Sequence, residues 1–469
     1  MCGFAKQYAL TRPLTQTEWD TLQSYTRRIR HVDNFNGGLD WQSVRTFLNA
    51  STTEPLFPNL RTLCCEYTED AMHLLRLPLP SLMSLDVNFI NQRLFRNSLA
   101  LFPRLSPDIR ELFIRLHYIE DTFVTIEPDY MRRWQNLSTV ECPRVALDMD
   151  TLLHLSRMPA LAHLYFTLSP ALSAESNSSL VFSNLHNLTL LSGSFKETLR
   201  FLSLTRLPAI MDFRTYIDKY PSEQELPSLL VGLLASNPGN TIETLELYHQ
   251  SEFQNDVVQS GSLPLLGLED LRPCMGFSNL RHLELNIMCN VDLTNDQLLT
   301  LASAWPKLEQ LLINEEWGWN TTGASGITPG GLVRLLQTCP SLAWIALCLD
   351  TRGYTEAPAS LELAFSSSIL IDVLDSIIEA PSVMAIAAFF CHISAAYSKS
   401  KFILNAWSHC NAMMELPNAK VYAKRWKDVR DQLYEAHHWR SESNSVNSRD
   451  SSSDGSQGSE SDYSDVLSD

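Results

Sequence analysis

Basic side chains are scarce in this chain. Its 36 Lys and Arg stand against 53 Asp and Glu, leaving a formal charge of −17 and a sequence pI near 5.2. Nucleic-acid binding needs a basic stripe that releases counterions from phosphates, so no nucleic-acid partner is expected. Attraction to an anionic membrane surface is set aside for the same reason. Long hydrophobic runs are missing too. The longest, Val383 to Tyr397, covers about 15 residues and is interrupted by His392, where roughly 20 are needed to span a bilayer. It reads as a buried helix. The opening MCGFAKQYALTRPL has no apolar h-region, so no secretory leader is expected. The 10 cysteines include no C-x-x-C pair; Cys64 and Cys65 are adjacent and Cys339 and Cys348 are nine apart, neither of which suits a tetrahedral metal site. Scattered, unpaired cysteines read as reduced thiols filling a core, as in a cytoplasmic or nuclear protein.

Catalytic signatures are also lacking. There is no G-x-S-x-G, no Walker loop, no H-E-x-x-H and no G-x-G-x-x-G. Glu315 and Glu316 could suggest paired carboxylates, but adjacent residues diverge in a strand or loop, so a solvated edge is the better reading. The expectation is a protein that is not an enzyme and that uses no cofactor or metal.

What the chain has in excess is leucine, at 74 of 469 positions. The 45% hydrophobic content is enough to build a large core and excludes wholesale disorder. The length allows about three ordinary domains or one elongated array. A repeated unit, L-x-x-L-x-(apolar), decides for the array. It reads PNLRTLCC from Pro58, PSLMSLDV from Pro80, PDIRELFI from Pro107, QNLSTVEC from Gln135 and PALAHLYF from Pro159. It continues as SNLHNLTL from Ser183, NTIETLEL from Asn240, SNLRHLEL from Ser278, PKLEQLLI from Pro306 and PSLAWIAL from Pro340. A degenerate copy, PAIMDFRT from Pro208, carries Thr215 in its last apolar slot. The leading apolar residues stand at 60, 82, 109, 137, 161, 185, 210, 242, 280, 308 and 342. One such unit is weak evidence; eleven at quasi-regular spacing are strong.

Counting the leading residue as first, the fourth and sixth positions of a strand face one side and the third, fifth and seventh face the other. A lone strand cannot bury its apolar face, so the units stack into a parallel sheet. Helical stretches return the chain between strands: 68–77, 148–158, 194–206, 293–305 and 327–339. Ser194 with Glu197 and Thr294 with Gln297 fit capping boxes, and Thr328 before Pro329 fits an N-cap. The predicted fold is an α/β leucine-rich-repeat solenoid, a horseshoe with strands on its concave face and helices on its convex face.

Residues 1–50 read as an N-terminal cap or divergent first repeat, a helix leading to a strand near Val32. Residues 51–440 form the irregular array with a C-terminal helical cap, in which FILNAW could be a last repeat and 422–439 a terminal amphipathic helix. Long loops are expected near 249–277, 314–327 and 350–380. Residues 441–469 hold twelve serines and seven acids against Arg449, too little apolar area to offset ordering entropy, so a disordered acidic tail is expected. Ser451 and Ser459, each three residues before an acid, would suit an acidophilic kinase; a purely solubilising tail is the plainer alternative.

The outward slots place Glu111, Phe113, Arg115, His163, Tyr165, Glu246, Tyr248, His282, Glu284, Gln310 and Trp344 on the concave face, a mixture suited to binding protein. The two histidines need no special role there. Trp317 and Trp319, around a glycine in EEWGWN, could form an aromatic anchor for a partner or could pack over the neighbouring repeat. A protein substrate is expected on the concave face or the long loops.

The stretch 304–354 resembles the fungal F-box proteins with leucine-rich repeats, as do the helix-plus-strand elements LTNDQLLTLASAWPKL and GLVRLLQTCPSL, GFSNLRHLELN at 276–286, RPLTQTEWDTLQSYTRRIRHV and YAKRWKDV. The resemblance covers roughly residues 11–435. It implies repeats that select substrates for a cullin ubiquitin ligase, joined through an F-box to a Skp-type adaptor. No L-P-x-E-like F-box opening is found before the repeats, and ELPSLL at Glu225 lies inside the array. The expectation is therefore the substrate-recognition repeats with the F-box missing or lost, and adaptor binding in doubt. The alternative is a scaffold or regulator unrelated to ubiquitin, similar to ribonuclease inhibitor or to a GTPase activator.

Overall fold

All eleven units form strands, and each strand starts two residues after its unit's leading apolar residue. The structure, a computed structural model, describes residues 12–449 apart from 13, 34–54, 67–74, 76, 100, 103–104, 119–123, 127, 170–178, 220–221, 223, 251–262, 320–325, 356–367, 398–401 and 408–417. The strands are β1 (His31–Val32), β2 (Thr62–Glu66), β3 (Ser84–Asn91), β4 (Glu111–Tyr118), β5 (Val124–Ile126), β6 (Thr139–Leu147), β7 (His163–Leu168), β8 (Leu180–Val181), β9 (Asn187–Ser192) and β10 (Thr205–Arg206). They continue as β11 (Asp212–Ile217), β12 (Thr244–His249), β13 (Leu265–Leu266), β14 (His282–Asn286), β15 (Asn290–Val291), β16 (Gln310–Ile313), β17 (Trp344–Ala346), β18 (Ile369–Asp372) and β19 (Phe402–Asn405). One parallel sheet runs β1-β2-β3-β4-β6-β7-β9-β11-β12-β14-β16-β17-β18-β19, with β5 also paired to β6. This is the α/β leucine-rich-repeat solenoid that the repeat predicts.

The register is uniform at the third position of the units, with one shift further along, between β6 and β7 after Cys142. The third position of each unit lies beside the third position of the next, from Thr62 through Glu111, His163 and Thr244 to Trp344. Slipping one strand by one residue would turn its leucines to solvent, so burial fixes the register. Every fourth-position residue, from Leu63 to Ile345, is buried, as is every sixth. The degenerate unit keeps this pattern: Thr215 is buried and its hydroxyl lies 3.4 Å from that of Thr198, which resolves the polar slot.

Across from the strands run α1 (Gln16–Thr26), α2 (Gln92–Leu99), α3 (Pro128–Met131), α4 (Met149–Ser156), α5 (Phe195–Ser203), α6 (Glu225–Ser236), α7 (Leu268–Leu271), α8 (Asn295–Ser303), α9 (Pro329–Thr338), α10 (Val383–Ala396) and α11 (Ala419–Arg449). The caps form much as the sequence suggests. Thr294 and Gln297 close a full capping box on α8, and Thr328 accepts the Gly331 N–H at 3.2 Å. At α5, Ser194 accepts from the Glu197 N–H, but the Glu197 carboxylate reaches past it to the Gly193 N–H at 2.9 Å. In α10 Ile386, Phe389, Phe390 and Ile393 are buried, as expected for that apolar run.

The polar residue just before the leading apolar position has a structural cause in four of the units. The amides of Asn59, Asn184 and Asn279 donate to the carbonyls of Arg27, Pro159 and Asn240, each at the same turn of the preceding unit. The Ser81 hydroxyl does the same to Pro58 at 2.7 Å. This ladder ties neighbouring repeats along the edge of the solenoid. Asn184→Ala is expected to cost about 1 kcal/mol, measured as a shift in urea midpoint at unchanged slope.

Three expectations change. The stretch near 350–380 is not simply a loop, because β18 lies within it and pairs with both β17 and β19. The 249–277 stretch contains β13 and α7, and 251–262 lies outside the described residues. Of the expected helix at 68–77, residues 68–74 and 76 also lie outside them. FILNAW supplies β19, and β1 joins the sheet beside β2. Helix α11 continues to Arg449, into the segment read as a disordered tail; residues 450–469 are outside the described residues.

Candidate protein-binding face

Uniform register converts the outward slots into rows. Along the fifth position, Asp86, Phe113, Glu141, Tyr165, Thr189, Arg214, Glu246 and Glu284 succeed one another on adjacent strands, about 4.8 Å apart. The third-position row carries Glu111, His163, Asn187, Asp212, His282, Gln310 and Trp344 across the same face. Tyr216 and Tyr248, at the seventh position of their units, stack with ring centroids 4.8 Å apart and planes 9° from parallel.

Both arginines that project from these rows are neutralised within the face. Arg115 pairs with Asp86 at 2.9 Å and lies 5.9 Å from the Phe113 ring centroid. Arg214 pairs with Glu246 at 3.0 Å. His282 sits between Thr244, 3.3 Å from its hydroxyl, and Glu309 at 3.4 Å. The remaining carboxylates make the face acidic. Burial pushes Glu246 and Glu284 above the usual carboxylate range; Arg214 partly offsets this at Glu246, and a hydrogen bond with Tyr248 partly offsets it at Glu284. Burial, followed by the donation to Glu284, raises the Tyr248 hydroxyl. Glu315 rises to about 7, chiefly through burial and then through Glu284, Asp372 and Glu316. Like charges held together in a half-buried setting produce such shifts.

A folded-state pKa above the unfolded one means that Glu315 favours the folded state when protonated. The chain loses that stability as pH rises from about 4.5 to about 7. Glu315→Gln is therefore expected to raise the thermal midpoint at pH values above 7 and to leave it nearly unchanged below 4.5, as followed by circular dichroism.

The face holds a cavity of about 220 Å³ lined by Glu141, His163, Leu164, Tyr165, Asn187, Thr189, Arg214 and Tyr216. It exists because β9 presents the short Asn187 and Thr189 between the tall side chains of β7 and β11.

The structure gathers His163 and Tyr165 at this cavity and Glu246, Tyr248 and Glu284 beside it. Glu111, Phe113 and Arg115 lie toward the N-terminal end of the sheet, and His282, Gln310 and Trp344 toward the other. Trp317 and Trp319 do not fit the anchor reading. Trp319 is fully buried, its indole N–H donating to the Ile313 carbonyl at 2.8 Å, and Trp317 is 5% exposed with its ring 6.1 Å from His249. Both pack inside the solenoid, because the chain turns inward at Gly318 (φ 71°) instead of projecting from the strand end. Glu141, Arg214 and Tyr216 complete the cavity and were missed, although they occupy the same outward slots; the degenerate unit hid two of them. Among the described residues, no group of three or more His, Cys, Asp or Glu is placed to hold a metal ion.

No family model matches the chain, and no curated protein matches it. Solved structures match the chain at low identity. A chain of the yeast Rad7–Elc1 complex shares 13% identity over 71% of this chain and 79% of its own length, with a TM-score of 0.29. An internalin (InlF) of Listeria monocytogenes shares 11% identity over 80% of this chain and 93% of its own, with a TM-score of 0.32. The plant peptide hormone receptor RGFR1, in complex with RGF2, shares 11% identity over 75% and 64%, with a TM-score of 0.28.

Proposed function

We propose that this solenoid is a protein-interaction module that holds a protein substrate on its concave face, as the recognition part of an F-box-type ubiquitin ligase receptor. The observation that carries the interaction reading is the continuous face around Tyr165, Arg214, Tyr216, Glu246, Tyr248 and Glu284, where half-buried aromatics alternate with charges. Aromatic residues framed by polar ones are what stable protein contacts use. The ligase context rests on the sequence resemblance, most of all that of residues 304–354, and on that alone.

Affinity purification of the full chain, with and without co-expressed Skp adaptor, separates the two parts. A partner is expected that is retained by the wild type and lost, by about tenfold or more, on Glu284→Lys with Tyr216→Ala, a loss typical of centrally placed contacts. Cullin-complex subunits recovered with it would support the receptor role. A partner recovered without them would leave the interaction module and remove the ligase, and retention by the double variant would overturn the concave-face reading.

A further inference from the structure

We propose that the cavity between β7 and β11 receives a lysine or arginine side chain of the protein partner, with the cation at Glu141 and its apolar stem between Tyr165 and Tyr216. This rests on the reading of the concave face as a protein-binding surface and names the chemistry of what it takes.

Size is the first argument. Sites for drug-sized molecules and cofactors run to about 300–1,000 Å³, and this cavity is about 220 Å³. At roughly 30 Å³ per water it would hold several waters, so one long side chain can fill it. Its floor is Asn187 and Thr189 and its walls are the paired strands on either side, so the site is rigid and preformed.

Charge decides the sign of the occupant. Of the acidic groups on the fifth-position row, Asp86 is paired with Arg115 and Glu246 with Arg214. Glu141, half-buried between Phe113 and Tyr165, makes no ion pair or side-chain hydrogen bond among the described residues. The cations bordering the cavity are already engaged: Arg214 by Glu246, and Arg144, which borders Tyr165, by contacts of its own. An anionic occupant would meet Glu141 directly and the acidic face beyond it. A cation meets a carboxylate with no ion pair among the described residues and two tyrosine side chains in the lining, and carboxylate and aromatic ring both attract it. Asp212 on β11 and, two strands beyond the cavity on either side, Glu111 and Glu284 extend the same sign along the face and would steer a basic segment onto it.

Fluorescence anisotropy on the full chain tests this with a labelled short peptide of alternating lysine and glycine and its arginine, acetyl-lysine and glutamate counterparts. The lysine or arginine peptide is expected to bind, and the acetyl-lysine and glutamate peptides to bind at least about tenfold more weakly. Glu141→Gln, an isosteric change at a strand surface, should weaken the cationic peptide about tenfold, whereas Glu111→Gln should weaken it about twofold. Tyr165→Phe, which keeps the ring, should bind as the wild type does. Absence of binding by both cationic peptides, equal binding of the glutamate peptide, or indifference to Glu141→Gln would each overturn the proposal. If Glu141→Gln changes nothing while Glu284→Lys with Tyr216→Ala still abolishes partner capture, the pocket assignment fails and the binding face stands. Indifference of capture to both variants removes the face as well.

Discussion

Trp319→Ala lowers stability by roughly 3–5 kcal/mol, the range for deleting a fully buried large aromatic, and leaves partner capture unchanged at temperatures where the variant remains folded. Trp319 joins three separate parts of the array. Its indole N–H donates to Ile313 at the end of β16, its backbone N–H donates to the Asp375 carboxylate at 2.8 Å, and its carbonyl accepts from Val291 of β15 at 3.2 Å. Removing the ring leaves the Ile313 carbonyl without its donor as well as a void, so the transfer and hydrogen-bond penalties add. Trp317→Ala should cost less, because its ring stands edge-on to His249 and its indole nitrogen has no hydrogen-bond partner among the described residues. Urea unfolding followed by far-ultraviolet circular dichroism reports both changes. Loss of partner capture by Trp319→Ala at wild-type stability would restore the anchor reading and refute the structural one.

That correction shows where sequence reasoning stops. The strands were legible because burial of the fourth and sixth positions leaves a period that the chain cannot avoid, and even Thr215 in the degenerate copy obeys it. The helices were legible where a cap advertised them, as at Thr294 and Thr328. β18 was missed because SSILIDVL lacks the leading L-x-x-L, although Leu370 aligns with Trp344 in the sheet. The face was half legible. Its outward slots follow from strand alternation, which identified Tyr165, Tyr248 and Glu284. Which neighbours meet depends on the uniform register and on short residues such as Thr189, and neither shows in one unit read alone. The fate of Trp317 and Trp319 depended on a backbone reversal at Gly318, where an added Cβ would come within 2.8 Å of Asp375.

The acidity of the chain acquires a location in the same way. Residues 441–469 hold −6 of the −17 in sequence, but the charge that bears on recognition is on the sheet, where Arg115 and Arg214 are both engaged by neighbouring acids. A face whose own cations are engaged selects by what it still lacks. That is why Glu141, with Tyr165 and Tyr216 beside it, carries more weight in the proposal than the larger group of carboxylates around Glu315.

Asn314→Leu is expected to destabilise the chain by roughly 3–8 kcal/mol, from two buried backbone groups left unpaired at about 1–3 kcal/mol each and a left-handed backbone cost of about 1–2 kcal/mol. Asn314 follows β16 at the seventh position of its unit, fully buried, with φ at 55°. Its amide donates to the Cys289 carbonyl at 2.7 Å and its side-chain oxygen accepts the Ile287 N–H at 3.2 Å, so it satisfies the turn that follows β14 in the preceding unit. Its own carbonyl accepts from Gly318 at 2.7 Å, which starts the reversal that buries the tryptophans. Asparagine suits both demands, since its short amide reaches the backbone and it tolerates the left-handed region. Comparing Asn314→Gly with Asn314→Ala separates them. Both lose the side-chain bonds, but only alanine bears the conformational cost, so alanine should be the less stable by about 1 kcal/mol. Equal urea midpoints for those two variants would show that the backbone at 314 relaxes once the amide is gone, and that the hydrogen bonds alone hold the turn.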